Sequence, residues 1–243
     1  MKNYSVTELI AEVKVCMDRN AQDTTLVDVG DVDTLQQKDI IRSKLVDAAT
    51  LVESNAPLSM LSGKGWGTGV LSGRECVNVD STLYVYRIKL PSDTLRLIRI
   101  KLKSWSRAAR ILDENEEEAL FQTSHIRGVM GDPERPVAVV QQGADGELEA
   151  MLYSSEVGGS TEEDYDPIET GTYLPLPKIE KNEGQEAIAL PEKLKSAVVY
   201  MTGYLACMTL GDTETASALL SVAQGLTGNK ATIRPNNTNN EEE

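Results

Sequence analysis

The chain has 243 residues, about 40% of them hydrophobic, which is enough to bury a core and argues against wholesale disorder. Aromatic residues make up only 5%, with one Phe, two Trp and eight Tyr, so the core must be built from Leu, Val, Ile, Ala and Met. The net charge of −14, from 24 basic and 38 acidic residues, opposes conventional nucleic-acid binding, which needs clustered Lys and Arg to displace counterions.

The N-terminus, Met1 to Val13, lacks the apolar core of a signal peptide, and no apolar run approaches a membrane span. Ser5 and Glu8 have capping-box spacing, and Val6, Leu9, Ile10, Val13 and Met17 follow at helical intervals, predicting a first helix. Asp18 to Asp31 is polar and reads as a loop. Asp33 and Gln36 mark a second start, and Leu35, Ile41, Leu45, Ala48, Ala49 and Val52 form a stripe until Asn55-Ala56-Pro57 ends it.

Ser62 to Gly69 is Gly-rich and superficially similar to a phosphate loop. Lys64 is followed by Gly65 rather than Ser or Thr, and strand-like sequence comes next, so a mobile connector is the better reading. From Glu75 to Ile179 the pattern is mostly β. Thr82 to Leu90 and Leu97 to Leu102 read as strands around a Pro91-Ser92-Asp93 turn, and Asp113 to Gln122 as a short acidic helix. Val137 to Gln141 and Leu148 to Tyr153 flank Gly143-Ala-Asp-Gly146, a hairpin signal, and Glu156 to Glu169 reads as an acidic mobile loop.

Helix returns at Pro191, a favoured first-turn residue, with Leu194, Val198, Met201, Leu205 and Met208 in register and Gly211 as terminator. Asp212 or Thr213 caps a final helix on Ala216, Leu219, Leu220, Ala223 and Leu226, closed by Gly228. The remaining residues, Asn229 to Glu243, have no periodicity and are expected to be disordered in isolation. The expected fold class is α+β: a helical bundle core built from the N- and C-terminal helices (residues 1–61 and 187–228), a central β-rich insertion with an acidic loop (62–186), and a flexible C-terminal tail (229–243).

Little in the chain points to catalysis. His125 is the single histidine, its neighbours form no nucleophile elbow, and Cys16, Cys76 and Cys207 lie far apart without a CxxC. Acidic runs such as Glu116-Glu117-Glu118 and Glu162-Glu163-Asp164 read as solvated faces and lack the spacing of an EF-hand loop. No catalytic, metal or cofactor-binding residue is assigned, no cofactor is implied, and the expectation is a protein that is not an enzyme.

The stretch Tyr86-Arg-Ile-Lys-Leu-Pro-Ser-Asp-Thr-Leu-Arg-Leu-Ile-Arg-Ile100 resembles a strand–turn–strand signature of podophage-type head-to-tail adaptor (head-completion) proteins, carried here by Leu90, Pro91, Asp93 and Arg96. Gly131-Asp-Pro-Glu-Arg135-Pro136, followed by Val137 to Val140 and Leu148 to Tyr153, is similar to that family's next strand pair. Leu190 to Leu194 through Gly211-Asp212 is similar to its closing helix pair. The order of these elements matches along residues 5 to 228. The chain departs from the family where a Trp usually ends the second helix: Asn55-Ala56-Pro57-Leu58 stands there instead, and Trp66 lies further on, which points to a divergent branch such as the neck ring proteins of crAss-like bacteriophages.

The resemblance implies a structural virion protein: a ring, usually of twelve copies (a dodecamer), bound beneath the portal protein in the head–tail neck. Such a ring contacts further neck or tail rings, extends the channel for double-stranded DNA during ejection without binding it specifically, and docks the tail. It involves no membrane and is made in the host cytoplasm. It also implies a C-terminal segment directed at the portal or a neighbouring subunit, in which Ile233, Arg234 and Pro235 are the candidate docking residues. The alternatives are another virion structural protein, such as a tail-tube subunit or assembly factor, and a carboxylate-dependent cell-wall hydrolase.

Overall fold

The computed structural model describes residues 1–17, 37–66, 75–80, 83–122, 129–155, 165–182 and 184–228. In chain order the elements begin with β1 (Lys2–Ser5), α1 (Val6–Cys16), α2 (Gln37–Asn55), β2 (Lys64–Trp66), β3 (Glu75–Asp80), β4 (Leu83–Lys89) and β5 (Thr94–Leu102). Next come β6 (Arg110–Asp113), α3 (Glu117–Phe121), β7 (Val137–Gln142), β8 (Leu148–Ser155) and β9 (Ile168–Pro175). The chain closes with β10 (Ile179–Asn182), β11 (Gln185–Leu190), α4 (Lys195–Leu210) and α5 (Thr213–Thr227). These elements group into two compact units, one spanning Leu61–Leu176 and the other combining Lys2–Met60 with Pro177–Glu243.

The unit made from both chain ends corrects the expected fold class. Its helices do not form a helical bundle core; they share the unit with a three-stranded antiparallel sheet, order β1-β11-β10, so the protein is a mixed α/β structure. Lys2 pairs with Leu190 and Ser5 with Ala187, while Ile179 to Asn182 pair back along β11. Ile188 and Leu190 are fully buried, and α1 packs on β11 as well as on α2 and α4. The physical reason is non-local pairing. A four-residue polar strand acquires its identity only from a partner nearly the whole chain away, so no local pattern announces it. Ser5 is extended at the start of α1, but its side chain makes no capping bond, so the capping-box spacing is not used.

The central helix of this unit is α4, which contacts α1, α2 and α5. It buries Ala197, Val198, Val199, Thr202, Gly203, Ala206 and Cys207. A Cβ on Gly203 would lie 3.1 Å from Leu219 Cδ1 and 3.6 Å from Met17 Cγ, so the missing side chain lets α5 and α1 approach closely. The buried Thr202 hydroxyl donates to Val198 O at 2.7 Å and is satisfied within its own helix. From the facing helices, Leu9, Val13, Ile41, Leu45, Ala48 and Ala49 are buried to zero exposure.

The Leu61–Leu176 unit contains two sheets. One is three-stranded, order β2-β9-β5, and the other five-stranded, order β3-β4-β8-β7-β6. Pairs in the five-stranded sheet are antiparallel except for β6 with β7, which run parallel from Arg110↔Val137 to Asp113↔Val140. A parallel pair requires a crossover, supplied here by the segment that carries α3. Tyr86, Ile88, Ile100, Leu102, Trp105, Ala150, Leu152 and Ile168 form the core between elements. Lys64 to Trp66, within the Gly-rich stretch expected to be a mobile connector, is instead an edge strand antiparallel to β9 (Lys64↔Tyr173), and residues 67–69 of that stretch lie outside the described residues. The end of the predicted acidic loop falls in β9, which begins at Ile168, and residues 156–164 lie outside the described residues. Asp113, expected to start a helix, instead ends β6, and α3 begins at Glu117.

Candidate functional site

The residues singled out by motif occupy turns and joints rather than one pocket. Leu90 is buried, and its N–H donates to Leu148 O at 2.9 Å, tying β4 to the β7–β8 hairpin. Pro91 opens the turn into β5, where Thr94 N–H donates to Pro91 O at 2.9 Å, and Asp93 O accepts from Leu176 N–H at 2.6 Å. Arg96 is partly buried on β5; desolvation lowers its pKa below the ordinary guanidinium value, with Asp113 opposing the shift. Gly211 and Asp212 form the α4–α5 joint. Gly211 takes a left-handed conformation (φ 78°), Asp212 N–H donates to Cys207 O at 3.0 Å, and the Asp212 carboxylate accepts from Thr215 N–H at 3.2 Å. Ile233, Arg234 and Pro235 lie outside the described residues, as do His125 and the Cys76 side chain.

Arg135 and Pro136 belong to a different setting. They sit in the crossover between β6 and β7, where a cleft of about 470 Å³ opens beside the edge strand β6. Its wall is the tight turn Asp132–Arg135: the Asp132 carboxylate accepts from Glu134 N–H at 2.8 Å and Arg135 N–H at 2.7 Å. Its base is pinned by buried Gln122, whose Oε1 accepts from Gly131 N–H at 2.7 Å. Pro136 O accepts from Arg110 N–H at 2.9 Å, which starts the parallel ladder. The exposed guanidinium groups of Arg107, Arg110 and Arg135 line the opening. Arg110 is ion-paired with Glu118 of α3. Among the described residues, no carboxylate lies within ion-pair distance of Arg107 or Arg135.

Whole-chain charge gives no hint of this basic cleft. Residues 83–112 carry eight basic side chains against one acidic, Asp93, in a chain of net charge −14. Two of these eight, Arg107 and Arg110, line the cleft, so the local charge block signals it in part.

The unit built from both chain ends holds a second unusual group. Glu53 on α2 has no accessible surface, and desolvation pushes its carboxyl up to about 8. A carboxyl so shifted has the proton affinity of a general acid, but one sealed inside a helix interface reaches no polymer substrate. Cys207 is buried, and burial raises the Cys16 thiol, with a hydrogen bond from Tyr200 opposing. A thiol raised in this way, as at Cys16, is not activated as a nucleophile. Among the described residues, no cluster of His, Cys, Asp and Glu is placed to hold a metal ion, and no helix is long and apolar enough to cross a membrane.

No protein-family model matches the chain, and no curated protein is significantly similar to it.

Proposed function

We propose that this chain is a head-to-tail adaptor ring subunit in the neck of a tailed bacteriophage, that it binds beneath the portal protein, and that it is a structural protein rather than an enzyme. The observation that carries the reading is the ordered series of short motifs along residues 5 to 228: Leu90-Pro91-Ser-Asp93-x-x-Arg96, then Arg135-Pro136-Val, then Gly211-Asp212. Each falls on a turn or joint that fixes how two elements meet, which is where a short motif is physically constrained. Charge supports the same reading. A channel that double-stranded DNA must cross works best when its wall does not bind phosphate, and a net charge of −14 on every copy is of the repelling sign.

In this role the chain forms a homo-oligomeric ring, with twelve copies the number the resemblance implies, and meets further neck or tail rings on its far side. The test is genetic and structural. Removing the gene from the phage should leave heads that package DNA but fail to join tails, and the wild-type chain should appear as a ring between portal and tail. Intact, infectious virions assembled without it would overturn the proposal.

A further inference from the structure

We infer that the arginine-lined cleft beside β6 is a docking site for an acidic segment of a second copy of this chain. The inference rests on the ring reading and deepens it, by assigning one of the two unlike surfaces that a head-to-tail contact between copies requires.

Charge selects the occupant. Copies of a chain with net charge −14 repel one another, so a contact between copies is favoured where positive side chains of one meet negative side chains of the next. Of the eight basic side chains in residues 83–112, Arg87, Lys89, Lys101 and Arg110 are ion-paired with Glu149, with Asp145 and Glu147, with Glu169 and with Glu118. The positive charge left open at the cleft is therefore that of Arg107 and, from outside the block, Arg135; the rest of the chain carries 16 basic and 37 acidic side chains. The cleft lies at the end of this block. Arg107 and Arg135 are exposed there with no carboxylate in ion-pair reach among the described residues, whereas Arg110 is already held by Glu118. Their planar forks are suited to bidentate capture of carboxylates.

The surroundings favour a polypeptide. Val129 (43% exposed), Ala108 and Ala109 line the cleft beside the arginines. Aliphatic side chains next to arginines suit a contact with another polypeptide. A nucleic-acid backbone fits less well. The lining contains the carboxylates of Glu118 and Asp132, and no aromatic face for base stacking. Because the cleft and its acidic complement are different surfaces, the contact is heterologous and propagates into a closed ring where the rotation permits.

The test uses the full chain. A mixture of unlabelled and ¹⁵N-labelled R107K/R135K protein is treated with a carbodiimide, which joins an amine to a carboxylate in direct contact. The expected result is isotopically mixed cross-linked peptides joining position 107 or 135 to a Glu or Asp of another copy. In parallel, sedimentation at low salt should show the R107E/R135E chain self-associating about tenfold or more weakly than wild type, with an unchanged circular dichroism spectrum. Three results would overturn the inference: cross-links confined within one copy, a wild-type chain that remains monomeric at the highest concentration reached, and loss of duplex DNA binding in R107E/R135E with self-association intact. Absence of the wild-type chain from the virion neck would fault the adaptor reading alone, since the contact is measured in purified protein.

Discussion

At the scale of single residues, Glu53 and Gly171 show how much one position decides. Glu53 lies four residues after Ala49 and eight after Leu45, on the buried stripe of α2, so helical geometry placed it inwards although a carboxylate ordinarily reads as solvent-facing. Its carboxyl titrates near 8 in the folded chain against 4.5 as the reference value, so the folded state holds a proton that the unfolded state releases. Stability from this group is therefore full below about pH 4.5 and declines as pH rises toward 8, by up to about 1.4 kcal/mol per pH unit. E53Q, which keeps the shape of the neutral acid, should remove that slope and be more stable than wild type above pH 8, read from thermal melts across pH 5 to 9. An unchanged slope would mean that Glu53 is ionised in the folded protein. Gly171 faces Trp66 across the β2–β9 pair, and a Cβ there would meet the indole ring at 2.7 Å. G171A should destabilise by about 1–3 kcal/mol in denaturant unfolding, with an altered Trp66 emission as the local marker. Wild-type stability and emission would show that the ring shifts freely.

Among elements, the α4–α5 joint is the clearest case of local sequence acting alone. Gly211 terminates one helix in the left-handed region, and a Cβ added there would have nothing within 4 Å, so a substitution meets a backbone cost and no clash. G211A should cost about 1 kcal/mol and D212A, which removes the cap on Thr215 N–H, a similar amount, both measured by denaturant midpoints at constant m-value. Equal midpoints for both variants and wild type would show that packing of α4 on α5 fixes the joint without its caps. This joint was legible because Gly-Asp at a helix boundary has one cheap conformation. The β7–β8 hairpin was legible for the same reason: Gly146 takes φ 83° between strands already marked by alternation. β1 was not. Lys2-Asn3-Tyr4-Ser5 is short, polar and paired with residues 187–190, and its role depends on contacts no window of sequence contains. The same non-local pairing turned the expected helical bundle into a mixed α/β unit. The basic cleft was half legible: the charge block of residues 83–112 stands in the sequence, but only the fold brings Arg135 to the opening beside Arg107.

For the whole molecule, the two compact units divide the sequence differently from its helical and β-rich stretches. Strands β10 and β11 follow the long β region in the chain but belong with the terminal helices. Periodicity gives the type of an element; membership of a unit follows from pairing, and that is why the helices at the two ends read as a bundle of their own. The motif residues likewise distribute over both units, with Leu90, Pro91, Asp93, Arg96, Arg135 and Pro136 in one and Gly211 and Asp212 in the other. In the adaptor reading these positions hold elements in register, and the assembly function belongs to surfaces such as the arginine cleft. The most direct measurement of that reading is a cryo-EM map of the virion neck with this chain fitted into it. The account predicts a closed ring of copies beneath the portal, with Arg107 and Arg135 of each copy against acidic side chains of the next. Density for the chain in the tail tube or capsid shell, or a neck ring that accommodates no copy of this fold, would contradict it.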